Sequence, residues 1–129
     1  MGESVHASLK AISAVHVSFD GMTAESLPEI DLTVVTMQFD AIDSDGLMAV
    51  LSKYVVLARM QPGCRNIDLC ASVTTDGRFL VTQKWDSPAA QRAHFDSALM
   101  IEMAQSCAGL LTAAPAIDLW DGVSAHDLA

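Results

Sequence analysis

Basic residues are scarce in this chain. Lys and Arg together number 7 against 16 Asp and Glu in 129 residues, giving a formal net charge of −9 and a pI near 4.5. Cations so few and so scattered cannot line a phosphate-tracking stripe, which argues against nucleic acid and against an anionic membrane as partners. Cysteine is sparse as well. Cys64, Cys70 and Cys107 form no CxxC pair, and any disulfide leaves one thiol over, so reduced thiols in the cytoplasm are the expectation. No His, Cys or Asp spacing matches a metal site. Apolar runs stay well short of the roughly 18 residues that a membrane-spanning helix needs. The stretch 11–19, broken by Ser and His after a lone Lys10, makes a poor secretory signal.

Apolar bulk is plentiful. Hydrophobic residues make up 51% of the chain and the mean hydropathy is +0.33, high for a small monomer in water. A single domain of this size buries roughly two thirds of its unfolded surface. With no membrane to cover the remainder, a second subunit is the expected cover, and a homodimer the expected assembly.

Punctuation along the chain divides it into an arm and a domain. Residues 1–30, rich in Ser, Ala and His, read as an N-terminal arm, with a weakly alternating stretch at 12–19 that suits an extra strand or a loosely ordered segment. Residues 31–129 read as the domain. A β-rich run at 32–42 places Val35, Met37 and Phe39 on one face. Asp43-Ser44-Asp45 offers N-caps for a helix over 46–60, whose Leu47, Val50, Leu51, Tyr54 and Ala58 follow i, i+3, i+4 spacing. Pro62-Gly63 stops it. Strands at 67–73 and 79–85 flank Asp76-Gly77, a strong hairpin signal. Ser87 and Pro88 suit the N-cap and first position of a second helical region over 87–111, with a possible break at Asp96-Ser97. A last strand spans 117–123. The order β-α-β-β-α-β is that of an α+β, ferredoxin-like sandwich with an antiparallel sheet. Phe79, Val81 and Trp85 share one parity and Leu80 the other, so apolar groups are expected on both faces of a sheet whose helices cover only one.

Several local features strengthen this picture: Pro62-Gly63-Cys64 after the first helix, the hairpin, Trp85-Asp86-Ser87 closing the third strand, and His94 in the next helix. Over roughly 32–123 the chain resembles the antibiotic biosynthesis monooxygenase family. The resemblance implies a dimeric α/β barrel of two ferredoxin-like subunits and, in the cofactor-free members, oxidation of a small aromatic by O2 with neither metal nor flavin. Those members carry an Asn four residues before the strand-ending Trp, where this chain has Val81, and a Tyr six residues after it, where it has Gln91. Haem-degrading relatives would need an axial His near Ala104 and a Trp near His94, and the chain departs from both. Quinol-oxidising relatives resemble it best around Trp85 and His94, although they often carry a second His near Leu99.

On this footing Trp85 and His94 are the candidate catalytic residues. Trp85 would orient an aromatic ring, or else plug the space between sheet and helix. His94 would deprotonate a phenol or donate to it, or else hold a helix–sheet junction. Gln38, Thr36 and Gln83 are polar residues in apolar strands that could contact a quinone or phenol oxygen, joined by Val81, Gln91 and Tyr54 as candidate substrate contacts. Tyr54 and Arg59 are placed at a pocket mouth, Arg59 more simply in solvent. The methionines read mainly as core filler, and Trp120 as an aromatic at a subunit boundary. The expected function is that of a cofactor-independent monooxygenase for a quinol or polyphenol. The alternative is a non-catalytic ligand-binding or assembly module on the same fold.

Overall fold

The computed structural model describes residues 32–124, so the arm, its possible strand at 12–19, and His6, His16 and His126 lie outside the described residues. Within them run β1 (Thr33–Asp40), α1 (Ser44–Ala58), β2 (Cys64–Ala71), β3 (Arg78–Trp85), α2 (Pro88–Phe95), α3 (Ala98–Ser106) and β4 (Ala116–Asp121). The four strands form one antiparallel sheet in the order β2-β3-β1-β4, the split βαβ arrangement expected of the sequence.

Element ends follow local chemistry. Asp43 caps α1 by accepting from the Gly46 amide at 3.0 Å, so the helix starts two residues before the expected position. Gly77, at φ 76°, completes the hairpin between β2 and β3 in a conformation that side chains other than glycine's resist. β2 starts at Cys64, earlier than expected, because a bulge between Cys64 and Asn66 keeps it paired with β3 as far as Trp85. The second helical region is two helices. Asp96 ends α2, and Ser97 starts α3 by accepting from the Met100 amide while its hydroxyl donates to the His94 carbonyl at 2.6 Å. α3 ends at Ser106, short of residue 111.

Alternation sorts the strands cleanly. Val35, Met37 and Phe39 of β1 and Phe79, Val81, Gln83 and Trp85 of β3 are buried on the helix side, packed with Leu47, Leu51, Tyr54, Val55 and Ala58 of α1 and Met103 of α3. The other face is more mixed than expected. By register it presents Val34, Leu80 and Trp120 among Thr36, Gln38, Thr82, Lys84, Asp68 and Asp118, with Arg78 donating to Asp40 at 2.8 Å near one end. Its apolar content is an island rather than a sheet-wide surface. Among the described residues no helix is long and apolar enough to cross a membrane.

Candidate functional site

The buried residues on the helix face of the sheet are apolar except for Thr33 at one end of β1 and Gln83 in β3. Gln83 sits in β3 at an inward position and is fully buried, two residues before Trp85. A buried amide carries four hydrogen-bonding capacities, and two of them are accounted for at once. The Trp85 indole Nε1–H donates to Gln83 Oε1 at 2.8 Å, and Gln83 Nε2 donates to the Tyr54 hydroxyl at 2.7 Å. Because indole nitrogen can only donate, Trp85 fixes which way round the amide stands.

Tyr54 is the hub. It projects from α1, 2% exposed, and its oxygen lies 2.6 Å from His94 Nε2 on α2 and 3.7 Å from the Met100 sulfur on α3. Of the two acceptors within reach, the imidazole nitrogen is nearer and stronger than the Met100 sulfur, and on that ground we assign it the single phenolic hydrogen. A directed relay results: Trp85 to Gln83, Gln83 to Tyr54, Tyr54 to His94. With Nε2 accepting, the hydrogen of the neutral ring is carried on Nδ1. His94 also stacks on Trp85, ring centroids 4.5 Å apart at 26°, so the relay closes on itself through a face-to-face contact. Burial lowers the His94 pKa to about 4, which keeps the ring neutral at neutral pH. Burial likewise raises the Tyr54 phenol well above its ordinary range, with the Gln83 bond acting against it.

Among the described residues, two polar atoms in this region have no protein partner. His94 Nδ1 and Gln91 Nε2 are both buried and unbonded, and their residues are the two buried positions of α2, one turn apart. Beside the relay a groove of about 260 Å³ runs between α1 and α3. Tyr54 lines it together with Val50, Leu57, Leu99 and Met103, and Lys53 and Glu102 also line it, 3.5 Å apart.

The fold therefore gathers Trp85, His94, Gln83, Tyr54, Gln91 and Val81 on the helix side. It does not bring Thr36 and Gln38 to them. Their parity turns both to the opposite face, where Thr36 accepts from the Trp120 indole at 3.1 Å. Arg59, expected at a pocket mouth or in solvent, bonds the Ile67 carbonyl at 3.1 Å. The hub role of Tyr54 exceeds what the sequence suggests, and Met100, one of the methionines read as core filler, lies within reach of its hydroxyl. One signal was available: the sole tyrosine of the chain lies on the buried stripe of α1, and a buried phenol needs a partner. Burial raises the thiol pKa of Cys64 and of Cys107, which makes both poor nucleophiles. Among the described residues no three His, Cys, Asp or Glu side chains gather as metal ligands.

Comparison with known proteins identifies the family and the fold. The sequence profile of the antibiotic biosynthesis monooxygenase family matches residues 32–106, more than half of the chain. The chain belongs to that family. The match takes in β1 through α3 and with them every member of the relay. Among solved structures, a protein of unknown function from Nitrosomonas europaea superposes with a TM-score of 0.70 at 17% identity, covering 79% of this chain and 99% of its own. A Mycobacterium tuberculosis protein gives 0.63 at 24% identity, covering 76% and 98%. SnoaB, a cofactor-independent oxygenase from Streptomyces nogalater, gives 0.64 at 16% identity, covering 76% and 96%. At such identities these likenesses establish the ferredoxin-like fold shared across the family. No curated protein matches the sequence.

Proposed function

We infer that this member of the antibiotic biosynthesis monooxygenase family is a cofactor-independent monooxygenase, acting on a small quinol or polyphenol with O2. The observation that carries this is the buried relay from Trp85 through Gln83 and Tyr54 to His94, held on the helix side of a fold shared with a cofactor-independent oxygenase. An ionised phenol is itself the reductant. It passes one electron to O2, the radical pair combines at a ring carbon, and loss of water from the hydroperoxide leaves a quinone. The protein then has to supply a dry, shaped site and fixed dipoles. Trp85 and His94 stack on one another within the core, and Tyr54, which bonds His94, lines the α1–α3 groove. The groove falls just under the ~300 Å³ at which small-molecule pockets usually begin, which favours an occupant of one or two rings. The assembly that goes with this reading is a homodimer, the partner covering Val34, Leu80 and Trp120.

Incubation with a panel of hydroquinones and naphthols, under air and under nitrogen, tests the activity. Oxygen uptake matched by quinone formation is expected, with a strong loss in Trp85→Phe. A second reading, a non-catalytic ligand-binding or assembly module, is favoured by one observation. Val81, where the cofactor-free oxygenases that the sequence resembles carry a polar Asn, is apolar and fully buried. Absence of turnover across the panel, with ligand affinity unaffected by His94→Ala and Trp85→Phe, would select that reading.

A further inference from the structure

The direction of the relay decides what α2 can offer a ligand. Trp85 can only donate, so the Gln83 amide faces it with oxygen and faces Tyr54 with nitrogen. Tyr54 accepts from Gln83 and spends its own hydrogen on His94 Nε2, 2.6 Å away. The basic nitrogen of the imidazole is thereby occupied, and the nitrogen left over bears a hydrogen. One turn earlier on the same buried side of α2, the Gln91 amide nitrogen also bears hydrogens. Neither group has a partner among the described residues, though His94 is 2% exposed and Gln91 1%. Most buried polar atoms are hydrogen-bonded, and two orphaned donors on neighbouring turns of one short helix are unusual.

The geometry points to an acceptor site made by His94 Nδ1–H and Gln91 Nε2–H, which takes the ionised oxygen of a phenolate, with His94 serving as donor and not as base. Resting on the reading of this protein as an aromatic monooxygenase, this narrows the substrate to phenols acidic enough to be bound as the anion. Two donors favour an acceptor that carries charge. A neutral phenol buried against them accepts more weakly and must also find a partner for its own O–H, whereas a phenolate oxygen accepts from both in charge-assisted bonds. The Trp85 stack keeps the imidazole plane fixed, so the Nδ1–H direction is set before the ligand arrives. Ser97 anchors the same segment by donating to the His94 carbonyl. His94 and Gln91 would touch the substrate. Tyr54 and Gln83 are positioning residues that act through the tautomer.

Two measurements on the full chain test this. Nitrogen-15 NMR of the ligand-free protein should find the His94 hydrogen on Nδ1, and in Tyr54→Phe that preference should weaken. Titration with 4-nitrophenol, whose anion absorbs separately from the neutral form, should show the bound probe ionising about one pH unit lower than free, equivalent to roughly tenfold tighter binding of the anion. Gln91→Leu and His94→Phe, the latter keeping a ring against Trp85, should each remove most of that preference. A hydrogen on Nε2, failure of the probe to bind, or binding mainly as the neutral phenol overturns the proposal. So does an ordered water bridging the two nitrogens that the bound probe leaves in place. Anion-selective binding together with no oxygen uptake from any phenol would keep the acceptor site and remove the monooxygenase reading instead.

Discussion

Among the described residues, Tyr54 is the centre of the buried polar network. Its hydroxyl is bonded on one side by Gln83 and on the other by His94, all of them buried. Tyr54→Phe keeps the ring and its packing but strands an amide hydrogen and an imidazole nitrogen. Urea unfolding should therefore show a loss of about 1–3 kcal/mol, the usual cost of leaving buried groups unpaired. His94 adds a dependence on pH. Its folded pKa of about 4 lies below the ordinary 6.5, so between those values the unfolded chain binds the extra proton. The contribution is fully present above pH 6.5 and falls away as pH drops through 6.5 towards 4, reaching about 3 kcal/mol at most. His94→Phe should flatten the stability profile in that window. An unchanged slope would mean that the imidazole is not held neutral in the core.

Elements place these residues, and the junction that matters most is where α2 begins. Gly63, at φ 82°, turns the chain under that helix: a Cβ there would stand 2.5 Å from the Ala90 Cβ, and its carbonyl accepts from the Asp86 amide at 2.8 Å. Gly63→Ala combines an unfavourable φ with a clash against the segment that carries Gln91 and His94. A stability loss above about 1–3 kcal/mol, the typical cost of the strained φ alone, is expected. A weakened Trp85–His94 stack, read by near-ultraviolet circular dichroism, should accompany it. Ser97→Ala removes the α3 cap and the bond to the His94 carbonyl together, and should cost about 1 kcal/mol. These junctions were legible because short-range rules write them: Ser87-Pro88 for one helix start, Asp96-Ser97 for the break, Asp76-Gly77 for the hairpin. The relay was legible only in part. Trp85, His94, Gln83, Gln91 and Tyr54 all stood out as residues, but the hydrogen bonds among them join α1, β3 and α2 across 29 and 40 positions of sequence. No local pattern encodes such a pairing.

At the scale of the whole molecule, the described residues gather their buried apolar side chains in one core between helices and sheet. Parity explains why Thr36 and Gln38 do not join the site: alternate residues of β1 serve opposite faces, and the inward set is Thr33, Val35, Met37 and Phe39. The outward face is left with a small apolar island around Trp120, which is 54% exposed. If that island is the centre of a homodimer, sedimentation of the unaltered chain at micromolar concentration should give a dimer and Trp120→Glu a folded monomer. A folded monomer already in the unaltered chain would remove the shared barrel while leaving the relay intact, since every member of it comes from a single subunit.

The measurement that bears most directly on the central claim is incorporation of 18O2 into product by the unaltered chain and by Trp85→Phe. With whichever quinol or naphthol is consumed, one labelled oxygen atom should enter each quinone and the other should leave as water, and the variant should lose this activity while remaining folded. Release of labelled hydrogen peroxide with no label in the product, or equal incorporation by Trp85→Phe, would contradict a monooxygenase built on the Trp85–His94 site.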